Sequence, residues 1–485
     1  MKAVKAMKVL LAASEVVPYA KTGGLADVAG ALADALAHMG LDVVLAMPFY
    51  RSVAHSFTPI PLGGSVAIPV GKAVEKAEFF FLERESGARV VFIGNKKYFD
   101  RDELYATSDG EYADNDERFI FFSKGVLEAA RALDFIPDVV HVNDWHSSLI
   151  PVYLKTSYRW NFPGTASLLT IHNLGFQGHF PPSSMRQTGL PYEFYTPALM
   201  EFYGKVNFLK AGIIFADAVN TVSRQYAREI VTPEMGFGLD DVLLKRGSHL
   251  SGITNGIDQE YWDPETDKYL PANYSVGDPE GKRKCRLSLI DAASFENTSA
   301  PVAGFVGRLS LQKGLDIMLK ALPGLMDEGL RLVVLGRGEE AIQSALVELA
   351  RSYPKNLFVR LEFDEPFAHL IYAGSDIFLM PSQYEPCGLA QMISMRYGTP
   401  PVVRATGGLV DTVVDHAEPG GTGFSFFEYR ADSLERCVRR AVRAMDDKAE
   451  WAAMKERCMR QDFSWERSAS KYADLYRKIS GGAPA

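Results

Sequence analysis

The stretch KTGGLADV, residues 21–28, follows an apolar run, KVLLAAS (8–14), and opens into LADVAGALADALAHMG (25–40), where apolar residues recur at helical spacing up to Gly40. The chain then becomes apolar and β-branched again in LDVVLAMP (41–48). A strand, a Gly-Gly turn, a helix and a second strand form a βαβ unit, which implies parallel strands joined by a right-handed crossover. The paired glycine at the strand-to-helix turn lets backbone N–H groups approach an anion closely. TGGLVD returns at 406–411 with a single change from TGGLAD at 22–27. Two such turns predict two similar domains facing one ligand.

The rest of the chain extends this pattern. Further strands are expected at 66–70, 77–83, 90–94, 139–143, 167–173 and 218–223, with a helix over 116–133. The order restarts with VAGFVG (302–307), LRLVVLG (330–336), LFVRLEF (357–363), DIFLMPS (376–382) and PPVVRA (400–405), separated by helical segments. Between the halves, residues 255–281 are rich in Pro, Gly and Asp and follow neither period, as a linker or surface excursion would. The expected division is therefore 1–256 and 257–485, with the final amphipathic stretch WERSASKYADLYRKIS grouped with the second domain. At 485 residues the chain exceeds the size at which a single core stops growing, which agrees with two domains.

Composition narrows the partners. Lys plus Arg number 52 against 60 Asp plus Glu, and the net charge of -8 argues against nucleic-acid binding and against broad adsorption to anionic membranes. No apolar run reaches the roughly 20 residues that span a bilayer. The opening MKAVKAMKVLLAAS imitates a leader, but Glu15 follows the apolar run at once and no cleavage-type pattern fits, so it reads as a first buried strand. Cys285, Cys387, Cys437 and Cys458 lie far apart without Cys or His ligand spacing, which argues against both a zinc site and a disulfide framework and predicts reduced thiols in a cytoplasmic protein.

Parallel sheets bind ligands beyond the carboxyl ends of their strands, so the motifs at those ends are the candidate site. Neither glycine loop is a GxGxxG or a GxxxxGK[ST], which removes the main support for nicotinamide and Walker chemistry. GFVGRLSLQKG (304–314) places Arg308 and Lys313 on one loop, where both can face a diphosphate; an isolated basic pair is ordinarily a solvated surface feature. PSQYEPCGLAQM (381–392) sets Glu385 at another strand end, where it either accepts sugar hydroxyls or merely complements a helix dipole. HVNDWHSSL (141–149) and TIHNLGFQG (170–178) place Asp144 and His172 just after strands; single histidines such as His141, His146 and His172 are more often structural. Cys387 has no neighbouring His and reads as a packed thiol. Tyr105 and Tyr112, within residues 104–119, are candidates to stack on a sugar, with surface packing as the alternative.

These motifs, together with TNGID (254–258) and ATGGLVD (405–411), occur in the order found in bacterial glycogen synthases and plant starch synthases, and they span almost the whole chain. The sequence thus resembles the retaining glucosyltransferases that extend an α-1,4-glucan from ADP-glucose. The UDP-glucose-dependent animal and fungal glycogen synthases are more distant. The resemblance implies an α/β fold of the GT-B type, two Rossmann-like domains facing a cleft, with ADP-glucose as donor, an α-1,4-glucan as acceptor and no cofactor.

Carried over by position, Lys21 resembles the lysine beside the nucleotide diphosphate, and Arg308 and Lys313 resemble the pair that neutralises it. Glu385 matches the glutamate near the transferred glucose, His172 the histidine near its 6-hydroxyl, and Asp144 an active-site aspartate. Asn173, beside His172, is grouped with the substrate-binding residues. Gly407, Gly408 and Leu409 would offer amides to phosphate or sugar, as Gly23 and Gly24 would in the first domain. Many retaining GT-B enzymes carry Glu-x7-Glu, but Ile393 stands eight residues after Glu385, as in the glycogen and starch synthases.

No unmistakable nucleophile is visible for a double inversion, so same-face substitution is the expected mechanism. Three other readings stay open. A glucan phosphorylase would show a pyridoxal-phosphate lysine context and a longer chain. A silent glucan-binding protein would have little reason to keep Lys21, Arg308, Lys313 and Glu385 together. A dinucleotide oxidoreductase would show the missing fingerprint.

Overall fold

Lys8–Ala12 lies in the middle of a ten-stranded sheet: Val9 to Ala12 are all buried, and strands on both sides satisfy their backbone N–H and C=O groups away from water. Asp42–Pro48 pairs with it in parallel on one side, with Leu10 opposite Val44, and Val139–Asn143 on the other, with Leu10 opposite Val140. Ala166–Ile171, Ala218–Thr221 and Leu250–Gly252 continue the parallel run outward from Val139–Asn143. On the opposite flank, Arg89–Gly94 is parallel to Asp42–Pro48, the long strand Ala73–Glu83 follows antiparallel, and Ile60–Pro61 and Val66–Val70 pair antiparallel on its outer side. The computed structural model describes residues 6–107, 110–296 and 299–481. The MKAVK that opens the chain lies outside these.

The second sheet has six strands, all parallel: Leu357–Arg360, Arg331–Leu335, Val302–Val306, Ile377–Met380, Pro401–Arg404 and Phe424–Phe426, in that spatial order. Their near-continuous apolar sequences fit strands covered by helices on both faces. In each sheet the chain order reverses beside a central strand. The reversal flanks Lys8–Ala12 in one and Val302–Val306 in the other. Loops diverge at such a switch point and leave a crevice at the strand ends, and the motifs leave the sheets there.

The chain separates into two compact units, Met1–Val222 with Ala227–Ile253 and Trp465–Ala485, and Ser223–Tyr226 with Thr254–Ser464. The expected grouping of the last helix with the second domain is therefore corrected. Trp465–Ile479 buries Trp465, Ser468, Ala469, Tyr472, Ala473 and Tyr476 along one stripe and packs on the helix Gly24–His38 of the first unit. Its tyrosines reach the first sheet: the Tyr476 hydroxyl lies 2.8 Å from His141 Nδ1, and Asn220 Nδ2 donates to the Tyr472 hydroxyl at 3.0 Å.

Residues 255–279 carry no helix or strand, as expected, but they are not a loose linker. Asp267 is buried, and one of its oxygens accepts the Tyr397 hydroxyl at 2.5 Å and lies 2.6 Å from His369 Nδ1. Among the described residues, no helix is long and apolar enough to cross a membrane.

Candidate active site

In the first unit the chain leaves Lys8–Ala12 through Ser14 and Glu15 before turning into the Lys21–Gly24 loop. Glu15 is buried. One of its oxygens accepts the N–H groups of Thr22 and Gly23, the latter at 3.1 Å. The other accepts the hydroxyls of Thr22 at 2.6 Å and Tyr105 at 2.8 Å. An internal carboxylate thus sits on the Gly23 amide, one of the two that the sequence assigned to an external anion. Gly23 has φ -152°, extended backbone open to any residue, and a side chain there would meet nothing within 4 Å. Gly24 begins the helix Gly24–His38. Lys21 pairs with Asp27 at 2.8 Å at the exposed mouth of the loop, where water screens the pair.

Asp144 follows Val139–Asn143 with φ +52°, a left-handed conformation that Asp tolerates better than most residues. Its Oδ1 accepts the His172 N–H at 2.7 Å, and its carboxylate also accepts the Asn173 N–H. Burial outweighs these bonds and, with the charge of Glu15 adding to it, lifts the Asp144 carboxyl to about 7. His172 is partly buried, and its Nε2 lies 2.8 Å from Asn143 Oδ1. Asn143 Nδ2 donates to the Ala12 carbonyl, so the amide oxygen faces the ring and Nε2 carries the proton. Nδ1 is left as an acceptor. Burial pushes the imidazole down to about 3, which keeps it neutral at ordinary pH. Asn173 Oδ1 accepts the Gly175 N–H at 3.0 Å and shapes the following turn.

Of the other sequence candidates in this unit, His141 and His146 are buried, and Tyr105 and Tyr112 are half-buried. His141 lies between Tyr476 and Thr170, and His146 stacks on Trp145 at 3.9 Å between centroids. Tyr105 spends its hydroxyl on Ser14 and Glu15. The ring of Tyr112 is covered by Arg101 and Arg118, at 4.6 and 5.0 Å. These contacts favour the packing alternative for both tyrosines; residues 108 and 109 of the same stretch lie outside the described residues.

In the second unit, the loops after Val302–Val306 and Ile377–Met380 meet. Lys313 Nζ lies 2.6 Å from Glu385 Oε2, which also accepts the Ser382 hydroxyl at 3.0 Å. The Gln383 N–H donates to the Gln312 carbonyl at 2.8 Å and fixes one loop against the other. Arg308 is exposed on the same loop as Lys313 and, among the described residues, makes no ion pair. Burial pushes the Cys387 thiol up to about 12, so it is unreactive packing.

The second glycine pair differs from the first. Gly407 has φ +46°, and a Cβ there would stand 1.9 Å from the Glu385 carbonyl oxygen; one on Gly408 would stand 2.1 Å from that of Cys387. The Gly408 N–H donates to the Glu385 and Pro386 carbonyls at 3.0 and 3.2 Å, and the Leu409 N–H to Thr406 at 3.1 Å. The Gly408 amide thus holds the Glu385 turn and the Leu409 N–H closes the turn that opens its own helix, which corrects the expectation that Gly408 and Leu409 present theirs to a ligand. The Leu409 side chain is core.

Two sheets with switch-point loops carrying this set of groups match known proteins along the whole chain. A family model described as starch synthase catalytic domain matches residues 8–245, and one described as glycosyl transferases group 1 matches 289–457. The glycogen synthase of Geotalea daltonii is 46% identical over 481 residues, covering 98% of this chain and 99% of that one. The chain belongs to the glycogen synthase family. That of Thermodesulfovibrio yellowstonii is 42% identical, covering 98% of both chains. Among solved structures, the catalytic domain of starch synthase IV from Arabidopsis thaliana, bound to ADP and acarbose, superposes with a TM-score of 0.89 at 30% identity, covering 98% of this chain and 100% of that one. A sucrose-phosphate synthase from Thermosynechococcus elongatus, at 19% identity and a TM-score of 0.61, shares the fold. The fold is GT-B.

Sequence reasoning overlooked Glu15, Asn143 and Ser382. Glu15 had a visible signal, a carboxylate directly after a buried strand and before the glycine turn. Asn143 and Ser382 had none, because their importance comes from side chains brought near in space.

Proposed function

We propose that this chain transfers glucose from ADP-glucose to the non-reducing end of an α-1,4-glucan with retention at the anomeric carbon, the reaction of a bacterial glycogen synthase, and that it works in the cytoplasm. The observation that carries the reading is the Lys313–Glu385 pair, 2.6 Å apart at the ends of two adjacent central strands. A cation and a carboxylate so placed serve the two ends of one donor. Lys313 and the exposed Arg308 neutralise the diphosphate, and Glu385 accepts hydroxyls of the glucose. The resemblance to a starch synthase bound to ADP supports the adenine nucleotide. Cytoplasmic location is supported by four buried, unpaired cysteines.

In this reading, the bond from the anomeric carbon to the diphosphate oxygen breaks while the acceptor's 4-hydroxyl bonds to the same face. The proton of that hydroxyl passes to the departing diphosphate. Arg308 and Lys313 stabilise the charge developing on the leaving group, and Lys21 adds to it. His172, protonated on Nε2, accepts a sugar hydroxyl at Nδ1. Asp144 orders the His172 and Asn173 backbone and carries a carboxyl poised to hold or release a proton near neutrality. Gly407 and Gly408 act indirectly by keeping the Glu385 turn in place, Leu409 by anchoring their own turn in the core, and Gly23 and Gly24 shape the loop that carries Lys21.

A nucleotide-sugar panel with a glycogen primer tests donor, acceptor and stereochemistry together. Glucose incorporation from ADP-glucose should far exceed that from UDP-glucose, with new linkages in the α configuration. Equal use of both donors would overturn the nucleotide assignment, and β linkages the mechanism.

A further inference from the structure

Two exposed aromatic residues of the first unit are held in left-handed backbone, a conformation that bulky side chains rarely adopt. Tyr203 has φ +48° and Phe237 φ +49°. Tyr203 and Gly204, both at positive φ, form the two-residue loop of the hairpin in which Phe202 pairs with Lys205. Asn-Gly is the natural sequence for that turn, and a tyrosine there is strained. Phe237 and Gly238 repeat the arrangement. The two pairs abut, since a Cβ on Gly238 would lie 2.9 Å from the Phe202 ring and 3.4 Å from that of Tyr203. Strain kept at two touching positions, each putting an aromatic ring at the surface, is better explained by what the rings meet than by the turn.

The patch continues into the proposed site. The Phe237 carbonyl accepts Gln177 Nε2 at 3.1 Å, and Gln177 follows Phe176 in the loop that begins with His172 and Asn173. The Phe176 N–H donates to the Asn173 carbonyl at 3.2 Å. Phe176 is 53% exposed, Tyr203 83% and Phe237 41%.

We propose that Phe176, Tyr203 and Phe237 form a platform for the α-1,4-glucan acceptor, holding the part of the chain that extends away from its reacting end. Flat rings match the apolar C–H faces of glucose units, and the exposed Lys205, opposite Phe202 in the hairpin, is suited to hydroxyls. The occupant follows from continuity with the His172–Asn173 loop, so the proposal rests on the acceptor assignment above.

The test reads glycogen binding rather than catalysis. Tyr203→Asn and Phe237→Asn remove the rings while giving each turn a residue that favours its backbone, so the fold is retained. In native gels containing glycogen, the double variant should be retarded far less than the parent, with the dissociation constant raised about tenfold and no fall in melting temperature. Trp160→Ser removes a comparably exposed ring, 80% exposed, elsewhere in the unit, and should leave retardation unchanged. Undiminished retardation of the double variant would overturn the platform, as would a change from dimer to monomer in sedimentation, which would assign the patch to a second copy of the chain. Because no transfer is measured, a failed donor assignment leaves this result readable, and a failed platform leaves the donor panel intact.

Discussion

Asp144 shows at the scale of one residue how a site is built against the stability of the fold. Its carboxyl is lifted from an ordinary value near 3.8 to about 7, first by burial and then by the charge of Glu15, although two backbone N–H groups favour its ionised form. A carboxyl whose folded value lies above its unfolded one contributes stability that is fully present below the unfolded value and is lost as pH rises through the folded value. Asp144→Asn keeps an acceptor for the His172 N–H, suits the left-handed backbone and removes the ionisation. The variant should gain on the parent between about pH 4 and pH 7 and hold a level advantage of roughly 2–4 kcal/mol above that. Melting temperatures of both proteins across this range check it, and a difference independent of pH would refute the buried, titrating carboxyl. Sequence made Asp144 a candidate through its position after a strand and through family resemblance. The strain and the raised value depend on the surrounding burial and on Glu15, which no local pattern reveals.

Among elements, the two TGGL turns teach the limit of reading a motif by its letters. Both follow strands and open helices, as the βαβ order predicts, yet the constraint on their glycines differs. At Gly23 the backbone is extended and the space open, whereas Gly407 and Gly408 lie under the Glu385–Cys387 backbone. Identical short sequences fix the local turn, but the segment lying over it comes from elsewhere in the chain. Gly23→Ala should therefore leave the melting temperature unchanged or slightly raised, since alanine restricts the unfolded chain. Gly408→Ala forces a methyl group against the Cys387 carbonyl and should cost roughly 1–3 kcal/mol. It should also lower transfer by moving the Glu385 turn. Thermal melting of the two variants side by side decides the matter, and equal losses would restore the view that the loops are equivalent.

For the whole molecule, the legible part was the alternation of strands and helices, because each strand carries its own apolar run and each helix its own period. The place of Trp465–Ile479 was not legible. Its stripe announces a buried face without saying which surface covers it, and the pairing that answers, Tyr476 with His141, spans 335 residues. Burial pushes the His141 imidazole down to about 3, so it stays neutral, and Tyr476 and Thr170 occupy its two nitrogens. Tyr476→Phe leaves one nitrogen without its partner in the interior and should cost about 1–3 kcal/mol; Tyr476→Ala adds a cavity and should cost roughly 3–5 kcal/mol. The loss belongs to the first unit. Amide hydrogen exchange should accelerate in Val139–Asn143 and Ala166–Ile171, the strands that carry His141 and Thr170, while Arg331–Leu335 and Leu357–Arg360 of the second sheet keep their protection. Faster exchange confined to the second sheet would return the helix to the second domain; faster exchange in both sheets alike would show that the two units unfold as one.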